Sequence, residues 1–123
     1  MIIKVVFIAA GGSIGAILRF LISNYCKYYF PNLPVGTLIV NVIGSFLIGL
    51  FVSYLDNKNI SDLIIKYFLI IGLLGSFTTF STFAIEVLEL FKQNNAFFSL
   101  IYIMFSIILS VFAAYLGITL LKY

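Results

Sequence analysis

Phe80 and Phe83 lie three residues apart in the stretch GSFTTFSTF, Gly75 to Phe83, where Ser76, Thr78, Thr79, Ser81 and Thr82 are interleaved with three rings. A spacing of three places side chains on one helical face. Aromatic ring edges carry partial positive charge. With the hydroxyls of Ser81 and Thr82 close by, such a face can approach an anion without holding it tightly. Two further tracks carry neutral polar groups. Thr37, Asn41 and Ser45 recur at i, i+4 and i+8, with Gly44 beside them, and Tyr102, Ser106 and Ser110 repeat the spacing. Glu86 lies one turn beyond Phe83 and reads either as a solvated carboxylate near a helix end or as part of a vestibule. Each track also has a plainer reading. Serines in membrane helices often bond back to their own i−4 carbonyl, an amide between helices contributes about 1 kcal/mol as glue, and rings pack. The hydroxyls between the rings, the glycine ahead of them and the amide on a neighbouring apolar segment together favour a pore. Phe77 is assigned to packing.

The elements that must position these groups are membrane spans. The chain has 123 residues, 63% hydrophobic and 9% charged, far outside the composition of soluble domains. Charge-free apolar stretches long enough to cross a bilayer predict four transmembrane helices near 4–24, 35–55, 63–91 and 96–121, in a single domain spanning 1–123. The connections NYCKYYFPNLP, DNKNISD and KQNN are short, and no internal repeat is present. Lys4 ahead of an apolar run resembles a signal peptide, but Arg19 late in that run and three further spans argue against cleavage. Asn41 falls roughly 9 Å inside the second span at 1.5 Å per residue, where an amide without partners is costly. In the third, Gly75 with the β-branched Thr78 and Thr79 lowers helix propensity and predicts a break. Freed backbone groups at such depth are tolerated only in protein or facing water. Carbonyls there suit a small cation, and the N-terminal end of a half-helix suits an anion.

Several function classes are excluded. Histidine is absent, the acids are Asp56, Asp62, Glu86 and Glu89, and the lone cysteine is Cys26. No zinc cluster and no nucleophile–base arrangement can be assembled, so the chain reads as a non-enzyme. Cys26 cannot form an internal disulfide. The net charge of +3 is spread along the chain, which suits an anionic lipid surface and makes no nucleic-acid patch. With four spans, Lys4, Lys58, Lys66 and Lys122 share one side, against Lys27, Lys92 and Arg19 on the other. That weak bias leaves open a single orientation with both termini in the cytoplasm, or insertion both ways with antiparallel pairing. Gly11/Gly15 and Gly12/Ala16 are small-xxx-small pairs for helix packing. Arg19 reads as an interfacial anchor or as positive charge near an anion's path, and its position alone favours the anchor.

The motifs GGSIGAILRF, GTLIVNVIGSF and GLLGSFTTFSTFAIE, with the length and four-span layout, resemble the small fluoride channels called Fluc or CrcB over most of the chain. The resemblance implies an all-α antiparallel dual-topology homodimer, multi-pass in the cell (inner) membrane, with a broken third helix and two pathways exporting fluoride passively. It implies Asn41 as the pore asparagine, and Phe80 and Phe83 as the rings whose edges line the pathway. Gly75 and Thr78 match positions whose carbonyls hold a central structural sodium ion. Arg19 matches a basic residue near the entrance, and Ser81, Thr82 and Glu86 match polar positions near the pathway. Tyr102, Ser106 and Ser110 look like the helix 4 polar track. Two other classes compete. A proton-coupled small multidrug exporter usually carries a carboxylate in its first helix, and none is present here. In a non-transporting assembly subunit, Asn41 and the hydroxyls would only join helices.

Overall fold

The computed structural model describes residues 1–58 and 62–122; residues 59–61 of the expected connection DNKNISD lie outside them. The described chain is all-helical, in the order α1 (Ile2–Tyr29), α2 (Val35–Lys58), a π-wound helix π1 (Ile64–Leu74), a single turn α3 (Gly75–Phe77), α4 (Phe80–Lys92) and α5 (Ala96–Leu120). Four helical stretches, Ile2–Tyr29, Val35–Asn57, Ile64–Lys92 and Ala96–Leu120, are long and apolar enough to cross a membrane.

The first helix is longer than its apolar run. Sequence reasoning ends it near residue 24, yet it continues through Tyr25, Lys27 and Tyr28 to Tyr29. Lysine and tyrosine are compatible with a helix, and the Phe30 N–H still closes on the Cys26 carbonyl at 2.8 Å. What stops the chain is Pro31, which disfavours helical backbone at the residue before it.

Close backbone approach organises the packing. The most extensive contacts are α2 with α5 and α1 with π1. A Cβ added at Gly11 would meet the Phe68 carbonyl, and one at Gly15 the Leu73 carbonyl, so the two helices touch main chain to main chain. Gly49 and Gly117 do the same between α2 and α5. The small residues are the means by which helices associate where lipid removes the hydrophobic driving force. One core cluster, Val40, Leu74 and Phe77, sits beneath the junction of π1 and α3, so Phe77 is a packing residue. A second joins Phe83, Leu90 and Tyr102.

The third span changes winding twice. Within Gly75 to Thr78, the stretch where a break is expected, Gly75 itself is helical at φ −62°, ψ −32°. The non-helical residues come one turn later, with Thr78 at ψ 155° and Thr79 at φ −151°, ψ 123°. Two adjacent β-branched residues are better suited to extended backbone than glycine is to ending a helix already closed by its neighbours.

The glycine seam yields a test. Gly15→Val should cost about 1–3 kcal/mol through overpacking, read as a lower melting temperature in detergent. Gly12→Ala meets the Ser76 hydroxyl at 3.2 Å and the Gly72 carbonyl at an ordinary 3.9 Å and should stay near wild type. Equal losses in both would contradict the seam.

Candidate functional site

Thr79 is the hub of the site. Its N–H donates to Asn41 Oδ1 at 2.8 Å, and its carbonyl accepts from Asn41 Nδ2 at 3.0 Å. One carboxamide therefore pairs with both peptide groups of a residue that has left the helix, as a neighbouring strand would. Asn41 reaches Thr79 because Gly44, on the next turn of α2, has no Cβ to meet the Thr78 methyl. The Thr79 hydroxyl accepts from the Thr82 N–H at 3.2 Å and donates to Thr82 Oγ1 at 3.1 Å, which caps and restarts α4.

These bonds redirect two donors. In a continuous helix the Thr79 N–H would close on the Gly75 carbonyl and the Thr82 N–H on the Thr78 carbonyl. Both are taken instead by side-chain oxygens. Arg19 adds a third tie, with Nε donating to the Ser76 carbonyl at 3.0 Å. Because α1 runs on to Tyr29, Arg19 stands ten residues (29 − 19), about 15 Å, from the helix end. Its guanidinium is turned into the protein through the bond to Ser76.

An open groove of about 320 Å³ runs along this hub. Asn41 and Ser45 of α2, Thr78 and Thr79, Phe80 and Phe83 of α4, and Ser106 and Ser110 of α5 all line it. No charged side chain does so among the described residues. The Phe80 and Phe83 centroids lie 5.5 Å apart with their planes at 50°. Phe83 is buried, whereas Phe80 is 78% exposed on the outer surface of the chain. Ser106 Oγ is buried with no hydrogen-bond partner among the described residues, so it does not bond back to its own helix. An unmet buried hydroxyl costs about 1–3 kcal/mol.

Glu86 belongs to a neighbouring cavity of about 350 Å³ near the end of the spans, lined also by Lys27, Thr37, Thr82 and Glu89. Thr37 Oγ1 donates to one Glu86 oxygen and Tyr102 OH to the other, each at 2.7 Å. The Phe83 and Tyr102 rings, with centroids 5.3 Å apart, join groove to cavity.

The sequence-predicted residues thus divide. Asn41, Phe80, Phe83, Ser106, Ser110 and Thr78 share the groove. Thr82 and Glu86 share the cavity, with Tyr102 reaching it through Glu86. Ser81 is exposed and reaches Thr79 Oγ1 at 3.2 Å. Gly75 is exposed, and neither it nor Arg19 lines groove or cavity. The role of Thr79 depends on backbone that only the fold reveals. The spacing of Thr37 places it on the polar face of α2 but does not indicate Glu86 as its partner. Lys27 carries no sequence signal beyond its charge between the first two spans, and the fold sets it on the cavity.

The profile of the family described as CrcB-like protein, Camphor Resistance (CrcB), matches residues 6–118. The chain is 44% identical over 123 residues to a protein of Campylobacter jejuni subsp. jejuni serotype O:23/36 (strain 81-176) named "Fluoride-specific ion channel FluC", covering 99% of this chain and 100% of the relative. A protein of the same name from Agrobacterium fabrum is 38% identical over 119 residues, covering 96% and 95%. "Fluoride-specific ion channel FluC 1" of Methanosarcina acetivorans is 38% identical over 113 residues, covering 92% and 86%.

Asn41→Leu keeps the volume but strands two peptide groups, each costing about 1–3 kcal/mol. A fall in melting temperature well beyond that of Ser45→Ala is expected. An unchanged melting temperature would show that the pairing with Thr79 does not hold the segment.

Proposed function

The chain belongs to the CrcB-like family, and from this membership and the geometry of the groove we propose that it is a fluoride-selective channel that exports fluoride passively across the cell membrane. The observation that carries the reading is the groove itself, an open track of neutral polar side chains and two aromatic rings with a buried, unmatched hydroxyl on it. Fluoride is small and strongly hydrated. A pore must replace its water while leaving binding weak enough for exit. The second N–H of Asn41 is still available after one is given to Thr79. With Ser106, Ser110 and the edges of Phe80 and Phe83, it offers such donors in series. Thr82, Ser81 and Glu86 with Tyr102 form the approach from the cavity, and Arg19 supplies positive charge behind it.

The working unit in this reading is an antiparallel homodimer of dual topology in the inner membrane, with two pathways. The groove is open and Phe80 is exposed, so a second copy completes its wall. The break between α3 and α4 serves the same unit. The carbonyls of Gly75 and Thr78 have lost their helical donors to Asn41 and Thr79, and oxygens of this kind fit a sodium ion. With their counterparts in the second copy they would hold a structural Na+ that fixes the two breaks against one another.

The relatives' names do not favour the multidrug-exporter or assembly-subunit readings. Glu86, the carboxylate nearest the groove, has both oxygens already held by hydroxyls.

Purified protein in liposomes should release fluoride and not chloride, and no fluoride release from folded protein would end the proposal. Asn41→Asp puts negative charge on the track and should reduce flux to background, while Ser106→Ala should lower it several-fold. Cys26 is buried, so topology is better read with Cys26→Ser and a cysteine placed at exposed Asn32. Labelling from both faces is expected, and labelling from one face would refute dual insertion.

A further inference from the structure

At the opposite end of α1 from the Glu86 cavity, two lysines from different helices converge on one ring. Lys4 Nζ stands 5.0 Å from the centroid of Tyr67, and Lys66 Nζ stands 5.9 Å from it. The two ammonium groups are therefore within about 11 Å of each other. Lys4 opens α1 and Lys66 opens π1, so both lie where these spans enter the membrane. Among the described residues, neither has a carboxylate as its partner. The nearest acid along the chain, Asp62, uses Oδ1 to accept the Ile64 and Ile65 N–H groups at 2.8 and 3.2 Å.

Long cationic side chains at a span's end ordinarily splay into the headgroup layer, each on its own. These two share one ring instead. Their spacing is fixed by the α1–π1 seam, in which Gly11, Gly15 and Gly72 bring main chains into contact. Both lysines are exposed, and the apolar side chains beside them, Ile3, Val5 and Ile64, are more than half exposed. The arrangement offers positive charge at headgroup depth with apolar surface beside it for acyl chains. Basic pockets between transmembrane helices bind anionic headgroups in this manner.

We propose that Lys4, Lys66 and Tyr67 form a docking site for the phosphate of an anionic phospholipid, seated where α1 and π1 enter the membrane. Charge complementarity selects the class. A zwitterionic lipid would bring its own ammonium against two others, whereas a lipid whose only headgroup charge is the phosphate neutralises the pair. The site lies apart from groove and cavity and depends on the membrane placement of the helices, not on fluoride conduction.

Native mass spectrometry of the detergent-solubilised full chain tests this with phosphatidylglycerol, phosphatidylcholine and inorganic phosphate as probes. Wild type should retain phosphatidylglycerol several-fold over phosphatidylcholine. Lys4→Gln with Lys66→Gln should bring retention down to the phosphatidylcholine level, while Lys122→Gln, an exposed charge at the same membrane side, should not. Tyr67→Leu keeps both charges but frees them from the ring, and it should lower retention as well. The proposal is overturned if the double variant or Tyr67→Leu retains phosphatidylglycerol like wild type, or if wild type does not distinguish the two lipids. Displacement of the lipid by low millimolar inorganic phosphate would overturn it in favour of a free-anion site. The substituted lysines are exposed, so the melting temperature of the double variant without lipid should match wild type.

Discussion

A peptide group that leaves a helix inside a membrane must find a partner in the protein, because hydrocarbon offers none. Here that demand falls on Thr79, and a single side chain meets it. A carboxamide presents a donor and an acceptor side by side in one plane without any change of protonation, which is why Asn41 can take both of the Thr79 peptide groups. The rest of the site follows from this pairing. Gly44 must be bare so that α2 can come close, the Thr79 hydroxyl must turn to cap α4, and the ring of Phe77 must anchor the turn before it in the core.

The pairing also sets how the groove's donors behave. A carboxamide held by two bonds cannot swing, so its remaining N–H keeps one direction. Ser106 is under no such restraint, because its hydroxyl has no partner among the described residues. In the proposed channel an anion would meet a fixed donor and a rotating one in succession. The rotating donor can follow the ion without any heavy atom moving.

Much of this was legible in the sequence. Four spans follow from hydropathy and length alone, and the spacing of Asn41, Phe80, Phe83, Ser106 and Ser110 was enough to gather them on facing stripes. The boundaries were less legible. Lys27 and the tyrosines near it suggested a loop, but a helix end is decided by Pro31 and by hydrogen bonding, not by polarity. Gly75 to Thr78 suggested the stretch where helical geometry stops; within and just after it the extended residues are Thr78 and Thr79, and long-range bonds from α2 hold Thr79. The division of the polar residues into groove and cavity was not legible at all. It depends on which ring stands between them, and Phe83 against Tyr102 is a contact between α4 and α5. The partner of Arg19 was not legible either, since it is a carbonyl 57 positions away.

That tie from Arg19 has an electrical meaning. A cation at the surface is cloaked by mobile ions within about 10 Å at ordinary ionic strength, and its influence fades as salt rises. The guanidinium of Arg19 is partly buried and moored through Nε to the Ser76 carbonyl, so ions in solution screen it far less. Its charge acts as a standing background potential on the segment around Thr79. Lysine at this position would have the same formal charge but no Nε and no planar fork, and its ammonium would drift toward water, taking that potential with it.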